Sequence, residues 1–164
     1  MFFMAIDPLD LEIMSLLRDD GRMTFTDLAQ RVGLTGPSVA DRVRRLEGQG
    51  IIRGFSARLD PAALGLTLTA FIAMSLSTSA STSAFLDAIG RLPQIVECHH
   101  ITGQEDYLLK VHVAGTRGLE QLISDSLKAI PGVIATRTTV VLSTPCERTV
   151  APPHETGASD ERHD

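Results

Sequence analysis

Between positions 31 and 58 six arginines, Arg31, Arg42, Arg44, Arg45, Arg53 and Arg58, face only two acids, Asp41 and Glu47. The chemistry open to such a cluster is contact with a polyanion. Local field rather than net charge governs it, so the overall formal charge of -5 is no obstacle. Other reactive types are present but poorly arranged. His99 and His100 are neighbours in a stretch that reads as a strand, so their side chains point to opposite faces and do not share a metal. Cys98, His100 and Thr102 share one face by parity, yet no acid to orient the histidine and no oxyanion hole accompany them, so packing is the expected role. Cys98 and Cys146 are too few for a disulfide framework and lack metal-type spacing. No phosphate-loop or dinucleotide glycine motif occurs. No catalytic residue, cofactor or metal site is expected.

Three helices must position the arginines. Asp7-Pro8-Leu9-Asp10 is a helix start, with Asp as N-cap and Pro at the first helical position, and Leu9, Ile13, Leu16 and Leu17 follow at helical spacing. A second start lies at Thr24-Phe25-Thr26-Asp27, with Leu28, Ala29 and Val32 on its apolar side and Gly33 as its stop. A third opens at Thr35, and Val39, Val43 and Leu46 form its buried stripe. Helices two and three are separated by Gly33-Leu34-Thr35. A small residue where helices cross, a glycine where the turn needs positive φ, and a branched apolar residue locking the second helix together make a helix-turn-helix signature. The third helix is then the reader of double-stranded DNA. Its stripe is expected to leave Ser38, Asp41, Arg42 and Arg45 on the opposite side, with Thr35 and Ser38 at a helix start suited to phosphate. Arg42 and Arg45 are the foremost DNA contacts. Arg44 is expected to touch the backbone or pair with Glu47, and Asp41 to orient Arg42 or Arg45 or to remain a solvated acid. Residues 51–59 read as a short hairpin that makes Arg53 and Arg58 a basic wing.

The remainder contains an internal echo. Residues 68–76 are a near-continuous apolar strand and 77–83 a Ser/Thr loop; Phe85, Leu86, Ile89 and Leu92 give a helix, and Pro93-Gln94-Ile95-Val96 begins a strand. Tyr107–Val113 is another strand, Leu119, Leu122, Ile123 and Leu127 another helix, and Pro131-Gly132-Val133-Ile134 opens the last strand. Two such units make a ferredoxin-like βαββαβ sandwich. The fold class is therefore α+β: a winged helix-turn-helix over 1–60, a linker over 61–66, the sandwich over 67–144 as ligand-binding and oligomerisation domain, and a disordered tail over 145–164. No apolar run approaches the roughly 18 residues that span a bilayer. Met1 to Ile6 lacks the basic stretch of a secretory signal, so a cytoplasmic protein without membrane partner is expected.

These stretches resemble the Lrp/AsnC, or feast/famine, regulators over about residues 6–143. The carrying segments are Leu28 to Leu34, Arg42 to Ile52, Val96-Glu97-Cys98-His99, Thr102-Gly103 with Asp106 to Lys110, and Leu127 to Thr138 ending in Thr-Arg-Thr. The resemblance implies a homodimer built on the regulatory sheets, assembling to a tetramer or octamer, with an amino-acid-like effector bound between dimers. Carried over, the effector residues are Thr102, Gly103, Gln104, Glu105, Asp106 and Tyr107, with Thr136 and Thr138 from a neighbour. Gly103 and the turn amides suit a carboxylate, and Asp106 or Glu105 an ammonium. Gln104-Glu105 departs from the acid-then-aromatic pattern of relatives, which puts a leucine-like ligand in doubt. The function implied is sequence-specific transcriptional regulation by an effector; an architectural DNA-bridging protein without effector is the alternative.

Overall fold

The computed structural model describes residues 6–78 and 80–153 and divides into two units, one of residues up to Arg58 together with the chain from Glu147, the other Leu59–Cys146. In the first unit, α1 (Pro8–Asp19), α2 (Phe25–Val32) and α3 (Gly36–Gly48) form around one apolar cluster. Helix α1 starts on a reciprocal capping box: the Asp10 N–H donates to Asp7 Oδ1 at 2.8 Å, and the Asp7 N–H donates to Asp10 Oδ2 at 3.1 Å. Thr24 caps α2 through the Asp27 N–H, and Thr35 caps α3 through the Ser38 N–H. The turn between α2 and α3 depends on Gly33, whose φ of 68° is left-handed and lets its N–H and that of Leu34 both reach the Ala29 carbonyl. Ile13, Leu28, Val39 and Val43 close the core between the three helices.

Residues 51–59 differ from expectation. No strand forms there; Ile51 and Ile52 instead donate to the Leu46 carbonyl and wrap the end of α3, and the segment beyond is irregular and exposed. A hairpin needs two strands in ladder register, and Arg53-Gly54 offers too short a run on either side of a turn.

The second unit is a four-stranded antiparallel sheet of order β2-β3-β1-β4, with β1 Leu68–Leu76, β2 Ile95–His100, β3 Tyr107–Val113 and β4 Val133–Val140. Helix α4 (Thr82–Gly90) connects β1 to β2, and α5 (Gly115–Gln121) lies in the connection from β3 to β4, so each half of the βαββαβ chain carries one helix. Strand β3 alternates fully between buried and half-buried residues, the period-2 signature of a sheet with one covered face. On that face Ala70, Ile72 and Met74 meet Tyr107, Leu109 and Val111 under Phe85, Ile89, Leu119 and Leu122. The helix read over Leu119–Leu127 changes pitch: after Gln121 it continues as a π turn over Leu122–Leu127, which brings Leu122 and Leu127, five apart, both into the core. Residues 145–153 carry no helix or strand; the rest of the expected tail and the first five residues lie outside the described residues. No helix among the described residues is long and apolar enough to cross a membrane.

Candidate nucleic-acid interface and effector turn

In α3, Thr35, Ser38, Asp41 and Arg44 lie exposed, and so does Arg53 beyond it. Thr35 and Ser38 hydroxyls sit 2.9 Å apart at the helix start. Arg44 pairs with Asp41 at 3.2 Å rather than with Glu47, and both are well exposed, so the pair contributes little to stability and stays open to a ligand. Arg42 and Arg45 lie elsewhere than expected. They do not stand on the solvent side of α3 but turn to the first turn of α1. Arg42 Nη1 donates to Asp10 Oδ1 at 2.8 Å and to Asp7 Oδ2 at 2.5 Å, and Arg45 Nη2 donates to Asp10 Oδ2. Asp10 is fully buried and the two arginine side chains are only about a quarter exposed, at 25% and 27%.

The physical reason is that a carboxylate without access to water needs compensating donors, and two guanidinium groups one helical turn apart on α3 supply them. The hydrogen bond from Arg42 holds Asp7 below the usual carboxylate range, against partial desolvation, and the bonds to Asp7 and Asp10 hold the Arg42 guanidinium further into its charged form. Removing one partner from such a network costs about 3–5 kcal/mol. Asp7 and Asp10 are functional neighbours that a reading of α3 alone misses. Their signal in the sequence is the capping box, which accounts for the two acids without reference to the arginines 32 and 35 residues away.

In the second unit, the Ile101 N–H donates to the Asp106 carbonyl at 2.9 Å and closes the β2–β3 turn. Thr102, Gly103 and Gln104 are exposed at its tip, and Gly103 has a φ of 131° that a side chain rarely adopts. Glu105 and Asp106 are committed to the chain itself. Arg137 of β4 donates through Nε to Glu105 Oε1 at 2.9 Å, and its Nη2 lies 2.7 Å from the same oxygen. The Leu76 N–H donates to Asp106 Oδ2 at 2.6 Å, and the Asp106 N–H donates to the Met74 carbonyl. Tyr107, expected in the pocket, is 6% exposed and belongs to the core, its ring 4.7 Å from that of Phe85 and 5.0 Å from His100. Thr136 pairs across β1 with Met74 and Thr138 with Ile72, so both lie on the helix-covered side of edge strand β4; Thr136 is half-buried and Thr138 exposed. Within one chain the turn is therefore met by Arg137, of opposite parity to the two threonines and absent from the expected set.

Among the described residues the remaining reactive groups form no centre. Glu97 is held below its usual range first by His99 and then by Lys110, an exposed surface network on β2 and β3. Partial desolvation pushes the thiol of exposed Cys98 up, away from the thiolate a nucleophile needs. Among the described residues no group of three histidine, cysteine or acidic side chains is placed to hold a metal ion.

Residues 6–53 match the family model for a winged helix-turn-helix DNA-binding domain, and residues 69–151 match the Lrp/AsnC ligand binding domain. The leucine-responsive regulatory proteins of Escherichia coli K12 and Klebsiella pneumoniae are each 39% identical over 139 residues, covering 84% of this chain and 85% of theirs. The structure is similar to the L-methionine complex of a Neisseria meningitidis transcriptional regulator, with a TM-score of 0.85, 29% identity, and coverage of 91% of this chain and 97% of that one. Escherichia coli AsnC gives 0.84 at 26% identity, covering 90% and 99% of the two chains. The feast or famine regulatory protein of M. tuberculosis complexed with L-methionine gives 0.84 at 34%, covering 91% and 100%. With both halves matched in the order the helices and the sheet had set, the chain belongs to the Lrp/AsnC family of transcriptional regulators.

Proposed function

We propose that this protein regulates transcription by reading a specific DNA sequence through α3, under the control of an amino acid or similar small effector bound between dimers at the 102–106 turn. The observation that carries the DNA half is the exposed row Thr35, Ser38, Asp41 and Arg44 on a helix fixed by the Gly33 turn, with Arg53 following it. A dimer presents two such helices to half-sites about 34 Å apart. The effector half is supported by the two relatives crystallised with L-methionine and by a turn whose exposed Gly103 and amides suit a carboxylate. The sheet face opposite α4 and α5, with Phe71, Leu108 and Lys110 half-buried, suits pairing with a second copy, and such dimers assemble to a tetramer or octamer in the cytoplasm. An effector shifts that assembly only by binding one arrangement more tightly than another.

The test is a thermal-shift screen of the full chain against the twenty amino acids. A ligand of the native assembly present at a hundredfold excess over its Kd stabilises by about 2.7 kcal/mol and raises the melting temperature. One hit or a few of related chemistry is the expected result. A flat screen at millimolar concentrations contradicts the amino-acid effector and leaves the DNA-reading half to stand alone.

A further inference from the structure

The capping box of α1 and the two arginines of α3 form a single network. Asp10 gives one carboxylate oxygen to Arg42 and the other to Arg45 and to the Asp7 N–H; Asp7 gives one oxygen to Arg42 and the other to the Asp10 N–H. The carboxylate at its centre is fully buried. What α3 leaves exposed carries no excess of positive charge, since Arg44 faces Asp41 at 3.2 Å and a second acid, Glu47, is exposed one turn on. Sequence-independent attraction to DNA scales with the number of phosphates that free cations neutralise, whereas base discrimination does not.

We propose that Asp10, assisted by Asp7, is a specificity-determining positioning residue: it withholds Arg42 and Arg45 from phosphate, so that DNA is read by Thr35, Ser38, Asp41 and Arg44 with a low non-specific background. The inference rests on the DNA-reading function proposed above. For a phosphate to recruit either guanidinium it must strip a donor from a carboxylate that has no water to replace it, which favours the internal pair. Six arginines between positions 31 and 58 thus act as four toward DNA. Asp10 touches no nucleic acid itself. It acts by fixing where two cations point and, through the same contacts, how α3 sits against α1.

The experiment measures binding of the full chain to its own promoter fragment and to a random duplex of equal length between 50 and 200 mM salt. Wild type, Asp10→Asn, Arg42→Gln and Arg44→Gln are compared, with circular dichroism melts to establish that each is folded. Asn keeps the shape of Asp10 and loses its charge. In Asp10→Asn the log–log salt slope on random DNA should steepen by up to ~1.8, about 0.9 for each arginine released, or an extra ~12-fold loss of affinity over that salt range. Random-duplex binding at 50 mM should tighten and the promoter-to-random ratio should fall. Arg42→Gln should leave the slope unchanged while Arg44→Gln lowers it by ~0.9. A merely structural role for Asp10 would weaken binding to both duplexes without moving the slope, and that result overturns the proposal. So does a drop of ~0.9 in Arg42→Gln, a variant that remains informative if Asp10→Asn does not fold. A wild-type chain with no preference for its promoter refutes the DNA-reading function itself, which the wild-type arm alone reveals.

Discussion

Asp106 is the residue at which stability and ligand binding can be separated most cleanly. Strand β1 shifts register against β4 between Ser75 and Leu76, which then pairs with Val133, and the Leu76 N–H donates to Asp106 Oδ2 at 2.6 Å. The same residue ties its own N–H to Met74 and its carbonyl to the Ile101 N–H, so it joins the end of β1 to the β2–β3 turn. A hydrogen bond to a charged acceptor contributes about 1.5–3 kcal/mol, and Ala would leave a half-buried amide unpaired. In a unit of this size that lowers the melting temperature by ~6–24 °C. Asp106→Asn retains an acceptor oxygen and should cost less than ~1 kcal/mol. Urea unfolding followed by circular dichroism measures both variants, and the thermal-shift response to the effector is read on the same samples. If the carboxylate also pairs an effector ammonium, Asn abolishes the ligand shift while keeping most of the stability. An Ala variant that unfolds at the wild-type urea midpoint refutes the assignment of Asp106 to the end of β1.

Two further perturbations follow from local geometry. A Cβ on Gly132 would meet Ala80 Cβ at 2.5 Å and Ala80 Cα at 3.1 Å with φ at 89°, so Gly132→Ala should destabilise by ~1–3 kcal/mol; Gly118, helical and with only Val113 near it, its Cβ at 3.4 Å and carbonyl carbon at 4.0 Å, should gain ~0.5–1 kcal/mol as Ala. Paired urea titrations check both signs. For pH, Asp7 titrates below its ordinary 3.8 when folded, so its contribution is present well above that value and is lost progressively as pH falls from there through the lower folded pKa. Asp7→Asn, which still caps α1, should therefore reduce the loss of helical stability between neutral pH and pH ~3, measured as the change in urea midpoint; an unaltered acid dependence contradicts the ion pair.

The elements were legible where a local rule decides them. Asp7-Pro8, Thr24 and Thr35 mark helix starts because orphan amides need a nearby acceptor, and alternation along Tyr107–Val113 marks a strand with one covered face. The βαββαβ echo followed from those pieces. The sequence does not place Arg42 and Arg45 correctly because a helical stripe ranks residues only by distance from its centre. It says nothing of a buried carboxylate on another helix that draws long side chains round the flank. The π turn escaped for a similar reason: Ile123 lies next to Leu122, and one extra residue per turn becomes visible only when Leu122 and Leu127 are both seen buried. Arg137 is not legible in the sequence, since its flanking threonines share a face and it does not, and its reach to Glu105 crosses β1 along the sheet, a contact set by strand order rather than by sequence spacing.

The most direct measurement is a fluorescence-anisotropy titration of the full chain against a labelled fragment of its own promoter and a random duplex of the same length, at about 150 mM salt, with and without the effector found by thermal shift. A regulator that reads sequence should bind its promoter at least ~10³-fold more tightly than random DNA, and the effector should change the promoter affinity while leaving the random duplex nearly unaffected. Equal affinity for the two duplexes, with or without effector, would contradict the account.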